Sequence, residues 1–306
     1  MRIVFMGTPD IARKSLQRLY EDGHEIVGVY TKQDTPKNRG MKMQFSEVKE
    51  YALSVGLPVY QPTRWKSDRT YEELKALAPE LIVVVAYGRI LPQRVLDIPE
   101  RGSINLHASL LPLLRGAGPV QWSVLNGFKT TGATVMYMSA EMDAGDIIDT
   151  VETPIGPDET SGELLERLGD LGAELLSSTV HRMEQGPVTA VPQDGSRATI
   201  APMLTKEMAP IDWSRTPQEI HNHVRGMCPW PVATAILDGK RFKIYRVEAA
   251  DAVTDRAPGT PVAITKQGLQ VACGGGQVVT ILELQAEGGK RMRTADYLRG
   301  HPMTIA

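Results

Sequence analysis

The chain is written in blocks whose hydrophobic period changes from one to the next. Residues 2–6 are a short apolar run, residues 7–10 (Gly-Thr-Pro-Asp) are turn chemistry, and residues 11–20 have the spacing of an amphipathic helix. Residues 24–31 follow as a second strand, so the chain opens as β-turn-α-β, which predicts a parallel pair with a right-handed crossover. A helix is predicted over 46–55 with Ser46 as its cap, a short strand over 57–60 and a helix over 71–77. Residues 81–86 are apolar at every position, the mark of a central strand covered on both faces. Strands are predicted at 103–107, 132–138 and 147–151, a helix at 120–125 with Pro119 in its first turn, and a long helix at 160–184 with Gly162, Gly169 and Gly172 as weak points.

Residues 187–202 are rich in Pro, Gly, Ser and Thr and lose the period. Beyond them one helix, 216–227, precedes short alternating runs at 233–237, 242–247, 262–264, 269–271 and 278–284, several of them separated by Gly-containing turns. The expected architecture is therefore α/β. An N-terminal open, mostly parallel Rossmann-like sheet with helices on both faces spans 1–186, a linker spans 187–205, and an OB-like β-barrel domain spans 206–306.

Composition narrows the classes. At 306 residues, 42% hydrophobic and 23% charged, the chain is globular and suits two domains. A net charge of −2 argues against a protein that coats nucleic acid by charge alone, though not against local basic patches. The charge is unevenly divided: residues 206–306 carry 13 Lys/Arg against 10 Asp/Glu, and the remainder 21 against 26. The densest cluster is Lys290-Arg291-Met292-Arg293, and residues 32–42 set Lys32, Lys37, Arg39 and Lys42 against Asp34 alone, without an apolar period. That segment reads either as a solvated surface loop, the commoner case, or as a mobile basic arm that meets an anionic partner. The two cysteines, Cys228 and Cys273, form no C-x-x-C pair and fit reduced thiols rather than a disulfide or zinc site. No apolar run is long enough for a signal-peptide core or a membrane span, so a cytoplasmic protein is expected.

The chemistry concentrates in residues 103–112. At period two, Ser103, Asn105 and His107 share one strand face and Ile104 and Leu106 the other. Polar groups at a strand's carboxyl end, followed by a Gly-rich loop and a helix, are the usual setting of a site on an open α/β sheet. A carboxylate is offered by Asp143, in the turn Glu141-Met142-Asp143-Ala144-Gly145-Asp146. Together these groups can run a transfer at a carbonyl carbon. Asn105 can donate to an oxyanion, His107 can move a proton to a leaving nitrogen, and Asp143 can hold and deprotonate an attacking ammonium group. An α-amino group with a pKa of roughly 7.7–8.0 is partly neutral at working pH, so no covalent enzyme intermediate is required. Taken singly, an Asn-x-His is more often a structural pair, and an Asp before Ala-Gly a turn residue. The six histidines show no metal-ligand spacing, Ser109 lacks the Gly-x-Ser-x-Gly elbow, and residues 7–10 are not a Gly-x-Gly-x-x-Gly dinucleotide turn.

In combination, Asn105-Leu106-His107, Ser109-Leu110-Leu111-Pro112, Arg115-Gly116, Pro119 and Asp143-Ala144-Gly145-Asp146 resemble the folate-dependent formyltransferase family. The resemblance implies Asn105, His107 and Asp143 as the catalytic set. It also implies a folate site built from Ser109, Leu110, Leu111 and Pro112 with Tyr87, Gly88, Arg89, Ile90 and Leu91, for 10-formyltetrahydrofolate as co-substrate and with no metal. Phe5–Asp10, Val83–Gly88, Ile211-Asp212-Trp213, Arg225 and Pro229-Trp230-Pro231 place the chain nearest the members that formylate the methionine of initiator methionyl-tRNA. That implies tRNA contacts from Lys37, Arg39, Lys42, Lys206, Lys290, Arg291 and Arg293, a monomer, and no membrane partner. An amino-sugar nucleotide is the alternative acceptor. The arm departs from the family pattern, since Lys32-Gln33-Asp34-Thr35-Pro36 and Met43-Gln44-Phe45 replace its usual residues, while Arg39-Gly40 remains.

Overall fold

The computed structural model describes residues 1–37, 42–65 and 67–305, and divides the chain into two compact units. The first comprises Met1–Ala117, Thr130–Thr153 and Leu165–Ala201; the second comprises Gly118–Lys129, Pro154–Leu164 and Pro202–Ala306.

In chain order the elements up to the long helix are β1 (Arg2–Gly7), α1 (Asp10–Glu21), β2 (Glu25–Tyr30), β3 (Thr35–Lys37), β4 (Lys42–Gln44), α2 (Glu47–Ser54), β5 (Val59–Tyr60), α3 (Asp68–Ala76), β6 (Leu81–Val85), α4 (Gln93–Leu96), β7 (Ser103–His107), α5 (Pro119–Leu125), β8 (Thr130–Tyr137), β9 (Ile147–Pro154) and α6 (Ser161–Gln185). The seven-stranded sheet runs β5-β2-β1-β6-β7-β8-β9. The pairs β5–β2, β2–β1, β1–β6 and β6–β7 are parallel and β7–β8 is antiparallel. All five residues of β6 are buried. Leu81, Val83 and Val85 face one core with Ala12, Leu16 and Leu19 of α1, Val48 of α2 and Leu176 and Val180 of α6. Ile82 and Val84 face the other with Leu74 of α3 and Val95 and Leu96 of α4. A strand covered on both faces has no polar side to show, which is why its sequence does not alternate.

Local signals set the boundaries. Ser46 caps α2 by accepting from Lys49 N at 3.1 Å, and Pro119 occupies the first turn of α5. The glycines of α6 do not break it: a Cβ at Gly172 would lie 2.9 Å from Leu106 Cδ2, so the missing side chain lets the helix settle onto β7. The segment read as an unpatterned arm carries a short antiparallel pair, with Thr35, Pro36 and Lys37 opposite Gln44, Met43 and Lys42. Most of the expected linker, residues 187–201, belongs to the first unit. There Val191 bridges Ile147, and Ile200 bridges Arg115.

The second unit adds α7 (Pro217–Gly226), β10 (Ala233–Leu237), β11 (Lys240–Val253), β12 (Pro261–Ile264), β13 (Leu269–Ala272), β14 (Gln277–Ala286), β15 (Met292–Arg293) and α8 (Thr294–Gly300). Its sheet is wholly antiparallel in the order β10-β11-β14-β13-β12, with β15 also on β14. Thr216 and Glu219 form a capping box at the start of α7. The core joins Ile220 and Val224 of α7 to Phe242, Ile244, Val271, Ile281 and Leu284 of the sheet, with Tyr297 and Leu298 of α8 against it. Arg225 is buried on α7, and its guanidinium donates to the carbonyls of Gly156 at 3.2 Å and Glu159 at 3.1 Å and to Asn222 Oδ1.

Candidate active site

The strand β7 is split by its own alternation. Ile104 and Leu106 are in the core shared with α1 and α6, which turns Ser103, Asn105 and His107 to the opposite face. Ser103 is tied down by its hydroxyl to the Leu96 carbonyl at 3.0 Å. Asn105 pairs with Val84 of β6 and Met136 of β8, and His107 with Thr134 of β8, so both sit toward the carboxyl end of the sheet's centre. Asn105 is half-buried, and its side-chain amide has no hydrogen-bond partner among the described residues.

His107 is 7% exposed. Its Nε2 is 2.9 Å from the Leu114 carbonyl. A carbonyl only accepts, so Nε2 carries a hydrogen and proton exchange by the ring is left to Nδ1. That Nδ1 lies 3.7 Å from Asp143 Oδ2. The same carboxylate oxygen accepts the backbone N–H of Gly116 at 2.8 Å. The three residues predicted to act together are thus gathered in the first unit, the imidazole facing the carboxylate and the amide two residues back on the same strand, about 7 Å away.

Asp143 stands in a demanding turn. Its φ is +52°, a region few side chains occupy. Two residues on, a Cβ at Gly145 would lie 1.8 Å from the Tyr137 carbonyl oxygen, so only glycine fits. The turn is braced by Gln193. Its Nε2 donates to the carbonyls of Asp143 at 2.9 Å and Gly145 at 2.8 Å, while its Oε1 accepts from Arg115 Nη2 at 2.9 Å and Nε at 3.2 Å. Arg115 is itself buried and pairs with Glu141 at 3.1 Å. The sequence reading passed over Gln193, because a glutamine in a Pro-rich segment carries no motif and its partners are distant in the chain.

The residues assigned to folate form two loops. After β6, Ala86 has φ +44° and Gly88 φ +71°, and the Tyr87 carbonyl accepts from Thr8 Oγ1 at 3.2 Å. The Tyr87 ring is buried edge-on to Trp65, with centroids 6.3 Å apart. Burial pushes its phenol above the usual tyrosine range. Arg89 donates to the Thr63 carbonyl at 2.7 Å, Leu91 is buried, and Ile90 is 85% exposed. The backbone N–H groups of residues 87–91 bond to no other described residue. In the second loop Ser109 Oγ donates to the Leu113 carbonyl at 2.7 Å, and the Thr134 hydroxyl donates to the Ser109 carbonyl at 2.6 Å and accepts from Leu111 N at 3.3 Å. The Leu111–Pro112 peptide is cis, and a Cβ at Gly132 would meet Leu110 Cδ2 at 2.6 Å. Open backbone donors beside an apolar rim suit a flat heterocycle with polar edges. No described group of His, Cys, Asp and Glu could hold a metal ion, and no described helix is long and apolar enough to cross a membrane.

The basic residues lie on other elements of the chain. Lys37 and Lys42 are register partners in the β3–β4 pair, and Arg39 lies outside the described residues. The legs of that arm are pinned by Lys49, whose ammonium reaches Asp34 Oδ2 at 2.5 Å and Gln61 Oε1 at 2.8 Å. In the second unit Lys206 is exposed in a short 3-10 turn, and Lys290 and Arg293 are exposed. Arg291 is engaged: it pairs with Glu283 and lies over the Tyr245 ring at 4.4 Å. The sheet adds cations that the sequence reading missed. Phe242, Ile244 and Val247 of β11 enter the core, leaving Arg241, Lys243 and Arg246 exposed. Register sets Lys243 opposite Gln285, and Arg246 and Arg293 both opposite Glu283. The period-two signal Arg241-x-Lys243-x-Tyr245 was available for this.

Comparisons with known proteins agree with the fold and the motifs. Residues 1–180 match the family described as Formyl transferase, and residues 203–302 match Formyl transferase, C-terminal domain. Among curated relatives, the methionyl-tRNA formyltransferase of Alkaliphilus oremlandii is 45% identical, covering 98% of this chain and 97% of its own. That of Bacillus subtilis is 46% identical, covering 98% and 94%. Among solved structures, HypX from Aquifex aeolicus in complex with tetrahydrofolic acid superposes with a TM-score of 0.66 at 18% identity, covering 100% of this chain but 48% of that one. The N-formyltransferase from Helicobacter canadensis, in complex with folinic acid and dTDP-3-aminofucose, gives 0.69 at 18% identity, covering 91% and 98%. At that identity these likenesses bear on the fold alone. With both family domains matched and relatives alike over nearly the whole length, the chain belongs to the formyltransferase family.

Proposed function

We propose that this chain transfers a formyl group from 10-formyltetrahydrofolate to the free amino group of methionyl-initiator tRNA, the modification that marks it for translation initiation. The single observation that carries the reading is the Asp143 carboxylate, held on the Gly116 N–H and facing Nδ1 of His107, with an Asn105 amide on the same strand that no described residue engages.

Each residue has a task fixed by its surroundings. The folate supplies the formyl carbon, and residues 87–91 and 109–112 are the groups to hold it. Asp143 receives the substrate ammonium and takes its proton, which frees the nitrogen lone pair to attack that carbon. As the new C–N bond forms, the former carbonyl oxygen becomes an oxyanion, and Asn105 donates an amide N–H to it. Because Nε2 of His107 is committed to the Leu114 carbonyl, proton traffic through the ring passes at Nδ1, between Asp143 and the nitrogen that leaves. In the protonated ring both N–H groups face acceptors, so the cation formed during transfer is held. The attacking nitrogen, cationic once bonded, gives its second proton through Asp143 to Nδ1 of His107, the first having passed to solvent. The oxyanion then re-forms the carbonyl as the bond to the folate nitrogen breaks, the proton from His107 goes to that nitrogen, and formylated amine and folate separate.

The acceptor is read by charge and shape. Lys37, Arg39 and Lys42 on the arm, and Lys206, Arg241, Lys243, Arg246, Lys290, Arg291 and Arg293 in the second unit, supply phosphate contacts that set affinity and salt dependence. The stacked Tyr245–Arg291 pair offers a flat polar edge beside them. The test is to offer the purified protein 10-formyltetrahydrofolate with charged initiator tRNA and, separately, with an amino-sugar nucleotide. Formylation of the tRNA alone is expected; formylation of the sugar nucleotide alone refutes the assignment of acceptor.

A further inference from the structure

Gln193 has no part in the bond-making above, yet its carboxamide is saturated by the site. Two contacts to Arg115 and two to the carbonyls of Asp143 and Gly145 use both lone pairs of Oε1 and both hydrogens of Nε2, and Nε2 also lies 3.7 Å from Met136 Sδ. Arginine offers only donors, so the amide end facing Arg115 must be oxygen, and the nitrogen is thereby forced onto the turn. Arg115 cannot swing away, because it is buried and its Nη1 pairs with Glu141. The turn so held is the one in which Asp143 has positive φ and Gly145 is pressed against the Tyr137 carbonyl. A conformation of that kind persists only where its surroundings over-determine it.

We propose that Gln193 is a positioning residue for the transfer: by anchoring the Asp143 and Gly145 carbonyls, with Arg115 fixing the sense of its amide, it keeps the Asp143 carboxylate on the Gly116 N–H and opposite Nδ1 of His107. This rests on the part given to Asp143 above. The brace works through geometry, and its loss leaves the folate loops untouched, since Gln193 bonds to neither.

Two variants separate its halves. Gln193→Glu keeps an acceptor for Arg115 while removing both donors to the turn; Gln193→Met removes both halves at similar size. Steady-state kinetics with formyl donor and charged tRNA, and thermal melts to establish folding, are measured for each, alone and combined with Asp143→Asn. Gln193→Glu is expected to melt near wild type and to lose about 10²-fold in kcat, the scale of a small misplacement of a reacting group. Its KM for the folate is expected to stay within about twofold of wild type. In the Asp143→Asn background the same change is expected to cost little more, since a brace has nothing left to position. Wild-type kcat in Gln193→Glu overturns the inference, as does a full loss that multiplies with that of Asp143→Asn. Should Gln193→Met fail to fold, the Gln193→Glu cycle still decides. An Asp143→Asn enzyme at wild-type kcat overturns the role of Asp143 itself, and is told apart because that single variant reports it without any change at Gln193.

Discussion

Asn105→Ala separates catalysis from stability. The side chain is half-buried on β7 and has no hydrogen-bond partner among the described residues, so truncation strands no buried donor or acceptor in the folded protein. Its neighbours on the other face, Ile104 and Leu106, keep the strand seated in the core. The folding cost is therefore the removal of one small polar side chain, about 0.5 kcal/mol, within the range of changes that break no named interaction. The catalytic cost is of another order. Removing one preorganised oxyanion donor typically lowers kcat by about 10²–10³, or about 3–4 kcal/mol of transition-state stabilisation. The assay is kcat for formyl transfer to charged tRNA at saturating folate, with a thermal melt on the same sample. The expected result is a melting temperature near wild type with kcat down by at least about 100-fold. A variant that turns over at the wild-type rate would falsify the oxyanion role.

Three further changes probe other parts. Gly145→Ala forces a Cβ to 1.8 Å from the Tyr137 carbonyl; a loss of about 3 kcal/mol or more is expected, seen as a fall of about 6–12 °C in the melting temperature of the first unit. Neutralising Arg241 and Lys243 together is expected to weaken tRNA binding and to flatten the plot of log affinity against log salt by about one per lost phosphate contact, with kcat at saturating tRNA unchanged; an unaltered slope would remove that sheet face from the interface. His223 is kept below the ordinary histidine range, chiefly by burial. The unfolded chain therefore takes up a proton there before the folded one does. The neutral ring's contribution is intact above about pH 6.5 and is lost as pH falls from there through the depressed value. Melts from pH 7.5 to about 5 should show the second unit losing stability, and Gln in place of His223 should flatten that dependence.

The sequence carried the fold where a local cause was written into it. The unbroken apolar run of β6 marks a strand with two covered faces, Ser46 marks a helix start, and the alternation at 103–107 decides which side chains reach the site. It carried less where pairing decides. The strand β11 runs 14 residues because irregular register keeps it on β14 past the predicted end. Helix α8 is seven residues long, too short for a periodic signal. Motifs named Asn105, His107 and Asp143 by type, but only packing shows that His107 spends Nε2 on a backbone carbonyl. Gln193 was invisible for the same reason, because its meaning lies in partners 48 to 78 positions away.

The most direct measurement is single-turnover formyl transfer to charged initiator tRNA by wild type and Asp143→Asn, with donor and tRNA both saturating. Asparagine can still accept the Gly116 N–H but cannot take a proton from the amine. The expected outcome is binding of both substrates at wild-type affinity with the transfer step slowed by about 10³-fold, within the range of losing a general base. Transfer at the wild-type rate would contradict the whole assignment of the site.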